Sequence, residues 1–216
     1  MKKNIASYID HTLLRATATP EEIEKLCKEA IEHSFYAVCV QGQYVDLAEK
    51  CLQKSNVKIA AVVGFPLGAN STKTKIYEAK QAILDGADEI DMVISIGWLK
   101  AQEYDMVRDE IEQVKAVIDR HVLKVIIETC SLTNEEKEIA CELAYEAGAN
   151  FVKTSTGYGN HGATLTDIEL MRNVVGDKMK IKASGGIRDR VIAEQYIAAG
   201  VDRIGTSSGV KIVTEK

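Results

Sequence analysis

The chain has 216 residues, of which 46% are hydrophobic and 27% charged, as in an ordinary globular protein. The net charge of -5 and the scattered basic residues argue against nucleic-acid binding, and no apolar run approaches the length of a membrane span. The N-terminal residues lack the apolar core of a signal peptide, so we expect a cytoplasmic protein.

Cysteine and histidine usage gives no sign of a disulfide framework or a metal site. The five cysteines are odd in number and show no Cys-x-x-Cys spacing, which favours reduced thiols. The four histidines are far apart in the sequence, and none has the spacing of helical metal ligands. We therefore expect no metal.

Short apolar strands alternate with amphipathic helices along the chain. A first helix is predicted from Thr19 as N-cap, with Pro20 at its first position and Glu22 completing a capping box. The eight predicted strands are 9–14, 36–40, 58–63, 89–94, 124–129, 151–155, 180–184 and 202–206. The later predicted helices are 45–52, 71–84, 103–118, one beginning at Thr133, 165–174 and 189–199.

This alternation predicts a parallel sheet covered by helices. Three helix-to-strand joints share one pattern, in which Gly86, Gly148 or Gly200 suits the left-handed position that ends a helix. Eight such units predict an α/β fold, a single (β/α)8 TIM barrel with a short N-terminal segment, over 1–216 as one domain. The alternative is an open doubly wound sheet, although no strand leads into a Gly-x-Gly-x-x-Gly motif.

Three charged residues fall on strands at positions where buried side chains are expected. Lys153 lies in an apolar stretch, and Lys182 and Asp91 are likewise placed toward the carboxyl ends of their strands. Alternation puts Asp91 on the opposite face from Ile90 and Met92, so it points inward if those two face the helices. The same parity turns Lys153 inward if Val152 faces the helices, and Lys182 inward if Ile181 and Ala183 do. The carboxyl ends of the strands are where active sites of such barrels are built.

Three further lysines begin predicted strands, where a long side chain reaches water at the bottom of a barrel. They are Lys58, Lys124 and Lys180. We expect all three to be solvated.

Two interpretations account for the buried lysines. The first is a structural ion pair at the barrel mouth, but two ammonium groups and one carboxylate leave an excess charge that is costly to bury. In the second, neighbouring ammonium groups each disfavour the charge on the other, which provides the neutral amine that Schiff-base formation needs. These arguments do not decide which lysine is the nucleophile.

Two loops near the C-terminus are rich in backbone donors and hydroxyl groups. They are residues 184–188, SGGIR, and residues 205–209, GTSSG. Barrels often bind phosphate at the loops after strands seven and eight, whereas ordinary turn chemistry is the alternative explanation. The candidate phosphate-binding residues are Gly157, Gly185, Gly186, Arg188, Ser207 and Ser208.

With these features in place, the chain resembles the deoxyribose-phosphate aldolase family of class I aldolases. The resemblance spans nearly the whole chain in the right order. It rests on residues 10–14 (DHTLL), 37–40 (AVCV), 64–68 (GFPLG), 88–94 (DEIDMVI), 124–129 (KVIIET), 151–157 (FVKTSTG) and 182–188 (KASGGIR).

The resemblance implies reversible cleavage of 2-deoxy-D-ribose 5-phosphate into D-glyceraldehyde 3-phosphate and acetaldehyde, without a metal or an organic cofactor. It assigns Lys153 as the Schiff-base nucleophile. Lys182 would favour the unprotonated amine of Lys153 and take part in proton transfer, with Asp91 as a proton donor and acceptor.

Four other positions match or depart from the family pattern. Asp10, Thr12 and Cys39 match positions near the substrate pocket, although Cys39 also fits a small buried hydrophobe. Ser95 stands where relatives usually carry Asn, which would alter a polar contact near Asp91.

Two other functions remain open at this point. One is a phosphosugar isomerase or epimerase that uses Asp91 as a base, and the other is a non-catalytic phospho-ligand binder. The expected partner is a small phosphosugar rather than nucleic acid or a membrane. A homodimer or higher homo-oligomer is compatible with the sequence, which does not decide the oligomeric state.

Overall fold

Eight parallel strands close into a barrel surrounded by helices in the computed structural model, which describes residues 4–215. Each strand pairs with its neighbours in chain order, and β1 closes the barrel by pairing with β8. The strands are β1 Ile9–Leu13, β2 Ala37–Val40, β3 Lys58–Val63, β4 Glu89–Val93, β5 Val122–Ile126, β6 Phe151–Lys153, β7 Lys180–Ser184 and β8 Arg203–Thr206. The α-helices are α1 Pro20–Glu32, α2 Val45–Leu52, α3 Thr72–Leu84, α4 Ile96–Lys100, α5 Tyr104–Ile118, α6 Asn134–Glu146, α7 Leu165–Val175, α8 Arg190–Ala198 and α9 Gly209–Thr214.

The predicted barrel is confirmed, and the alternative of an open sheet is wrong. An open sheet leaves two edge strands, whereas here Ile9, Asp10 and His11 pair with residues of β8. A short 3-10 helix, Ile5–Tyr8, forms the predicted N-terminal segment. The expected absence of a signal peptide concerns in part residues 1–3, which lie outside the described residues.

Helix boundaries follow the local signals in the sequence. The carboxylate of Glu22 accepts a hydrogen bond of 3.0 Å from the backbone N–H of Thr19 at the start of α1. At α6, the Thr133 hydroxyl and the Glu136 carboxylate each accept a hydrogen bond from the other residue's backbone N–H. Gly148 follows the end of α6 with a φ of 76°, in the region that favours glycine.

The main hydrophobic core lies between the barrel and its helices. Ile90 and Met92 of β4 belong to one buried cluster with Ala79 of α3 and Ile111 of α5. Asp91, between Ile90 and Met92, faces the barrel interior as predicted. The outer face of the sheet thus holds the helices, and the inner face is free to carry polar groups.

The fifth strand begins earlier than predicted, and this changes the place of one lysine. β5 runs from Val122 to Ile126, so Lys124 is its third residue and pairs in register with Asp91. The prediction of a solvated Lys124 is wrong, because its side chain is fully buried inside the barrel. Lys58 and Lys180 do begin strands and are exposed, as predicted.

Two short helices, α4 and α9, were not predicted, because five or six residues are too few to show a helical period. Within residues 4–215, no helix is long and apolar enough to cross a membrane.

Candidate active site

Asp91 is the centre of a cluster of lysines inside the barrel. Its Oδ2 atom lies 2.7 Å from Nζ of Lys153 and 2.8 Å from Nζ of Lys182, and its Oδ1 atom lies 2.8 Å from Nζ of Lys124. Strands β4, β5, β6 and β7 are consecutive, and each contributes one of these side chains. The predicted meeting of Asp91, Lys153 and Lys182 is therefore observed.

The charge of Asp91 is stabilised by its neighbours although the residue is fully buried. Burial alone raises the pKa of a carboxylate, but the ammonium groups of Lys124, Lys153 and Lys182 hold the pKa of Asp91 well below its usual value. Asp91 is thus a carboxylate at neutral pH, and it accepts rather than donates a proton in the resting state.

Lys182 is more firmly protonated than the sequence predicts. Its Nζ atom lies 2.5 Å from Asp10 Oδ2 as well as 2.8 Å from Asp91 Oδ2. Burial opposes the charge, yet the carboxylates of Asp10 and Asp91 outweigh burial and raise the pKa of Lys182. The expectation that a neighbouring lysine leaves Lys182 less protonated is wrong, because it left out the carboxylate of Asp10.

Asp10 and Cys39 are buried beside the lysines that contact Asp91, and they do not line the cleft described below. The pKa of Asp10 is lowered to about 2, because Lys182 and Arg203 outweigh the effect of burial. Cys39 lies with its Sγ atom 3.9 Å from Asp91 Oδ2, and burial raises the pKa of its thiol. Cys39 also packs with Ala60 and Val62, as a small buried hydrophobe does.

Three charged residues of the barrel interior were missed by the sequence analysis. Lys124 lies 2.5 Å from Glu89 Oε2, and Arg203 contacts both Glu89 and Asp10, at 3.4 and 2.7 Å. Burial opposes the charge of Lys124, but Asp91 and Glu89 raise its pKa. The alternation of side chains along a strand could have placed Glu89 inside the barrel, since Glu89 precedes Asp91 by two positions on the same strand and therefore shares its face.

Lys153 lines a cleft of about 370 Å³ at the carboxyl ends of the strands, where it is 3% exposed. Lys124 and Lys182 are fully buried, so Lys153 is the one lysine of the cluster, within residues 4–215, that lines the cleft. A molecule bound in the cleft would therefore meet the amine of Lys153 first.

The candidate phosphate loops line the same cleft as Lys153. The predicted residues found there are Thr12, Gly157, Gly185, Gly186, Arg188 and Ser207. Ser208 is not among the lining residues and instead precedes helix α9. The cleft thus combines an amine with the glycine-rich backbone, hydroxyl groups and guanidinium that suit a phosphate.

Gly162 and Gly185 approach each other more closely than side chains would allow. A Cβ atom at Gly162 would lie 2.1 Å from the carbonyl oxygen of Gly185. Gly185 also has a φ of 85°, which strains any residue other than glycine. These glycines fix how the β6 and β7 loops meet at the cleft.

A further residue, Glu128, holds the loop that follows Lys153. The carboxylate of Glu128 accepts hydrogen bonds from the hydroxyl and the backbone N–H of Thr156, and the Thr156 hydroxyl accepts one of 3.0 Å from the N–H of Tyr158. Tyr158 packs edge-on against Phe65 with ring centroids 5.4 Å apart. Glu128 has a φ of 54°, so the chain turns sharply where its side chain enters the loop.

Ser95 contacts a separate buried pair rather than Asp91. Its backbone N–H donates a hydrogen bond of 3.1 Å to Glu110, whose carboxylate also lies 2.8 Å from Nζ of Lys75. Within residues 4–215, no group of three or more His, Cys, Asp or Glu side chains is arranged to hold a metal ion.

Comparison with known proteins places this chain in a family. Residues 4–215 match the model of the DeoC/LacD family aldolases. The chain is 59% identical over 216 residues to a deoxyribose-phosphate aldolase of Thermococcus kodakarensis, which covers 98% of this chain and 96% of the relative. It is 56% identical over 206 residues to a deoxyribose-phosphate aldolase of Finegoldia magna, covering 95% and 97% of the two chains.

Solved structures give the same result. The chain superposes on the aldolase QR15 with a TM-score of 0.95 and 42% identity, over 98% of this chain and 95% of the other. It superposes on a tetrameric deoxyribose phosphate aldolase from Aeropyrum pernix with a TM-score of 0.89 and 32% identity, over 97% and 89%. With a matching fold, sequence and family model over nearly its full length, the chain belongs to the DeoC/LacD family of aldolases.

Proposed function

We propose that the chain is a lyase that reversibly cleaves 2-deoxy-D-ribose 5-phosphate into D-glyceraldehyde 3-phosphate and acetaldehyde. The observation that carries this proposal is the amine of Lys153, which lines a cleft together with four glycines, Ser207 and Arg188 while it contacts the buried Asp91. Family membership and relatives named deoxyribose-phosphate aldolase support the substrate.

The reaction begins with addition of the Lys153 amine to the aldehyde carbon of the open-chain sugar phosphate. Loss of water gives an iminium ion, which serves as the electron sink. The C3 hydroxyl then loses its proton, the bond between C2 and C3 breaks, and its electron pair moves to the iminium nitrogen to give an enamine. D-glyceraldehyde 3-phosphate leaves at this step.

Protonation of the enamine carbon and hydrolysis of the resulting iminium release acetaldehyde and restore Lys153. We assign the proton transfers to Asp91 and Lys182, which lie 2.8 Å apart and begin as a carboxylate and an ammonium. Both are fully buried, so they reach the reacting atoms through Lys153 or through water.

The phosphate group would bind at the loops after β6, β7 and β8. Backbone N–H groups of Gly157, Gly185 and Gly186 suit an anion because glycine lets it approach the backbone closely. Arg188 and Ser207 add a charge and a hydroxyl group. Ser208 and Thr12 would contribute at the edges of the site, whereas Asp10 and Cys39 would act beneath it.

An isomerase or epimerase on the same barrel would require Asp91 itself to remove a proton from the substrate. This is disfavoured because Asp91 is fully buried, does not line the cleft and is paired with three ammonium groups. A binder without catalysis would leave the costly burial of Lys124, Lys153, Lys182 and Arg203 inside the barrel without a chemical use.

One experiment separates the three functions. Turnover of 2-deoxy-D-ribose 5-phosphate is measured before and after treatment with acetaldehyde and borohydride. We expect turnover that this treatment abolishes, because reduction of the iminium blocks the amine. Turnover that survives the treatment would favour an isomerase, and phosphosugar binding without turnover would favour a binder.

We also infer that the whole chain acts as one domain, and that it works as a homodimer or larger homo-oligomer in the cytoplasm. The first inference is supported by a barrel whose strands extend from residue 9 to residue 206, and the second by the tetrameric relative from Aeropyrum pernix. A single cooperative unfolding transition and the mass in light scattering test them.

A further inference from the structure

Six charged side chains inside the barrel form a closed ring. Going around it, Asp10 contacts Lys182, Lys182 contacts Asp91, Asp91 contacts Lys124, Lys124 contacts Glu89, Glu89 contacts Arg203, and Arg203 returns to Asp10. The closest N–O distances for these six contacts, in the same order, are 2.5, 2.8, 2.8, 2.5, 3.4 and 2.7 Å.

The ring is a feature of the barrel and not of one segment. Its members come from β1, β4, β5, β7 and β8, and all six are buried. Anions and cations alternate at every position, so each carboxylate lies between two cations and each cation between two carboxylates. Burying charges without partners would cost free energy, whereas every member of this ring contacts two groups of the opposite charge.

Lys153 is not a member of the ring but contacts one of its members, Asp91. Three cations balance three carboxylates within the ring, so the ring has no net charge. The ammonium of Lys153 contacts Asp91, which already belongs to two ring contacts. Lys153 therefore carries the one excess positive charge of these seven groups, and it is also the lysine that lines the cleft.

We propose that Glu89, Lys124 and Arg203 are positioning residues for the reaction. They close the ring around Asp91 and Lys182, and their charges determine how readily the ammonium of Lys153 loses its proton. This inference rests on the proposed function, since it concerns the amine that forms the Schiff base. None of the three lines the cleft, so they act through the groups that they hold.

The charged and titratable groups around Lys153 come from six of the other strands and from the cleft. They are Asp10 of β1, Cys39 of β2, Glu89 and Asp91 of β4, Lys124 of β5, Lys182 of β7 and Arg203 of β8, with Arg15, Tyr158 and Arg188 in the cleft. Of these, Glu89 and Arg203 can be neutralised without removing a direct contact of Lys153.

The proposal predicts opposite effects for two neutralising substitutions. Glu89→Gln gives the ring a net positive charge, which favours loss of a proton from Lys153. Arg203→Gln gives the ring a net negative charge, which favours retention of that proton. A purely structural role would impair both variants in the same way.

The experiment measures the rate of the acetaldehyde adduct trapped by borohydride as a function of pH. We expect the pH midpoint of this rate to fall by at least about half a unit in Glu89→Gln and to rise by a similar amount in Arg203→Gln. The double variant Glu89→Gln/Arg203→Gln restores a neutral ring and should return the midpoint to the wild-type value. Midpoints that do not move, or that move in the same direction in both single variants, would overturn the proposal.

Controls separate this inference from the proposed function and from loss of folding. Wild-type protein that forms no adduct contradicts the proposed function, whereas normal wild-type adduct with unmoved variants contradicts the ring alone. Lys58→Gln removes an exposed ion pair with Asp88 and should leave the midpoint unchanged. If one single variant does not fold, the other carries the test against Lys58→Gln, because its midpoint must still move in the direction given above. A midpoint that stays at the wild-type value or moves in the opposite direction would overturn the proposal.

Discussion

Lys153 and Lys182 carry the same ammonium group in different surroundings. Lys182 lies between Asp10 and Asp91, and its removal would leave two buried carboxylates short of a partner. Lys153 contacts Asp91, which keeps two other lysine partners if Lys153 is removed. The two residues therefore differ in what they contribute to stability, although both serve the proposed reaction.

Lys153→Ala should abolish detectable turnover while the protein folds normally. The amine proposed to form the Schiff base is lost, but the remaining six charges are balanced. Lys182→Ala is the matched variant, and we expect it to lower the free energy of unfolding by about 3–5 kcal/mol because it leaves buried charge unpaired. Steady-state kinetics and chemical denaturation measure both effects. Near-normal kcat in Lys153→Ala would contradict the assignment.

The loop after β6 joins the proposed nucleophile to the candidate phosphate site. Lys153 ends the strand, and Thr156, Gly157 and Tyr158 line the cleft within the next five residues. Glu128 holds this loop through two hydrogen bonds from Thr156. The position of this loop is thus set in part by the carboxylate of Glu128, which lies just after β5, and not by the loop alone.

Thr156→Val should weaken substrate binding more than it weakens Schiff-base formation. The substitution removes a buried hydroxyl that donates to Glu128 and accepts from Tyr158, and such bonds to charged groups contribute about 1.5–3 kcal/mol. We expect KM for the sugar phosphate to rise by about tenfold or more, while trapping of acetaldehyde on Lys153 persists. Thr214→Val, at an exposed hydroxyl, is the control. An unchanged KM would show that the loop does not depend on this contact.

Helix α6 offers a test of the local signals that define the fold. Thr133→Ala removes the hydroxyl that accepts a hydrogen bond from the N–H of Glu136. We expect the free energy of unfolding to fall by about 1 kcal/mol without a change in kcat. Chemical denaturation measures this loss, and Thr214→Ala should show less than half of it. Equal losses in the two variants would contradict a specific capping contribution.

Local signals predicted the elements well, and the errors arose where a neighbouring strand decides the outcome. The capping box at Thr133 and the glycine that ends α6 are readable because each acts within a few residues. The start of β5 was misplaced by two positions, and this alone turned Lys124 from a buried ion-pair partner into a solvated residue. Asp91, Lys153 and Lys182 were found because strand parity is independent of such small shifts at the ends.

The contacts that complete the site depend on closure of the whole barrel. Asp10 and Lys182 are 172 positions apart in the sequence, and Asp10 and Arg203 are 193 apart. They meet because β1 pairs with β8, a relation that helix and strand periods do not reveal. The sequence therefore predicted Asp10 near the pocket only through family resemblance, and it did not predict Arg203 or Glu89.

Closure of the barrel brings Asp10 to Lys182 and Arg203, and these contacts make the free energy of unfolding depend on pH. The pKa of Asp10 is lowered from 3.8 to about 2, so this carboxylate stabilises the fold above pH 4 and the contribution is lost as pH falls toward 2. Asp91 also loses its stabilising contribution as pH falls, since its pKa is lowered too.

We expect Asp10→Asn to be less stable than the wild type at neutral pH but to show a weaker dependence of unfolding free energy on pH between 4 and 2. Asp46→Asn, at an exposed carboxylate, should keep the wild-type dependence. The same slope in both variants would contradict a buried, ionised Asp10.

Of the three buried lysines around Asp91, we propose that Lys153 forms the covalent intermediate. The most direct measurement is peptide mapping by mass spectrometry after the protein is incubated with acetaldehyde and reduced with borohydride. We expect an added ethyl group on the peptide that contains Lys153, with none on the peptides that contain Lys124 or Lys182. An ethyl group on Lys182 or Lys124 in place of Lys153 would contradict it.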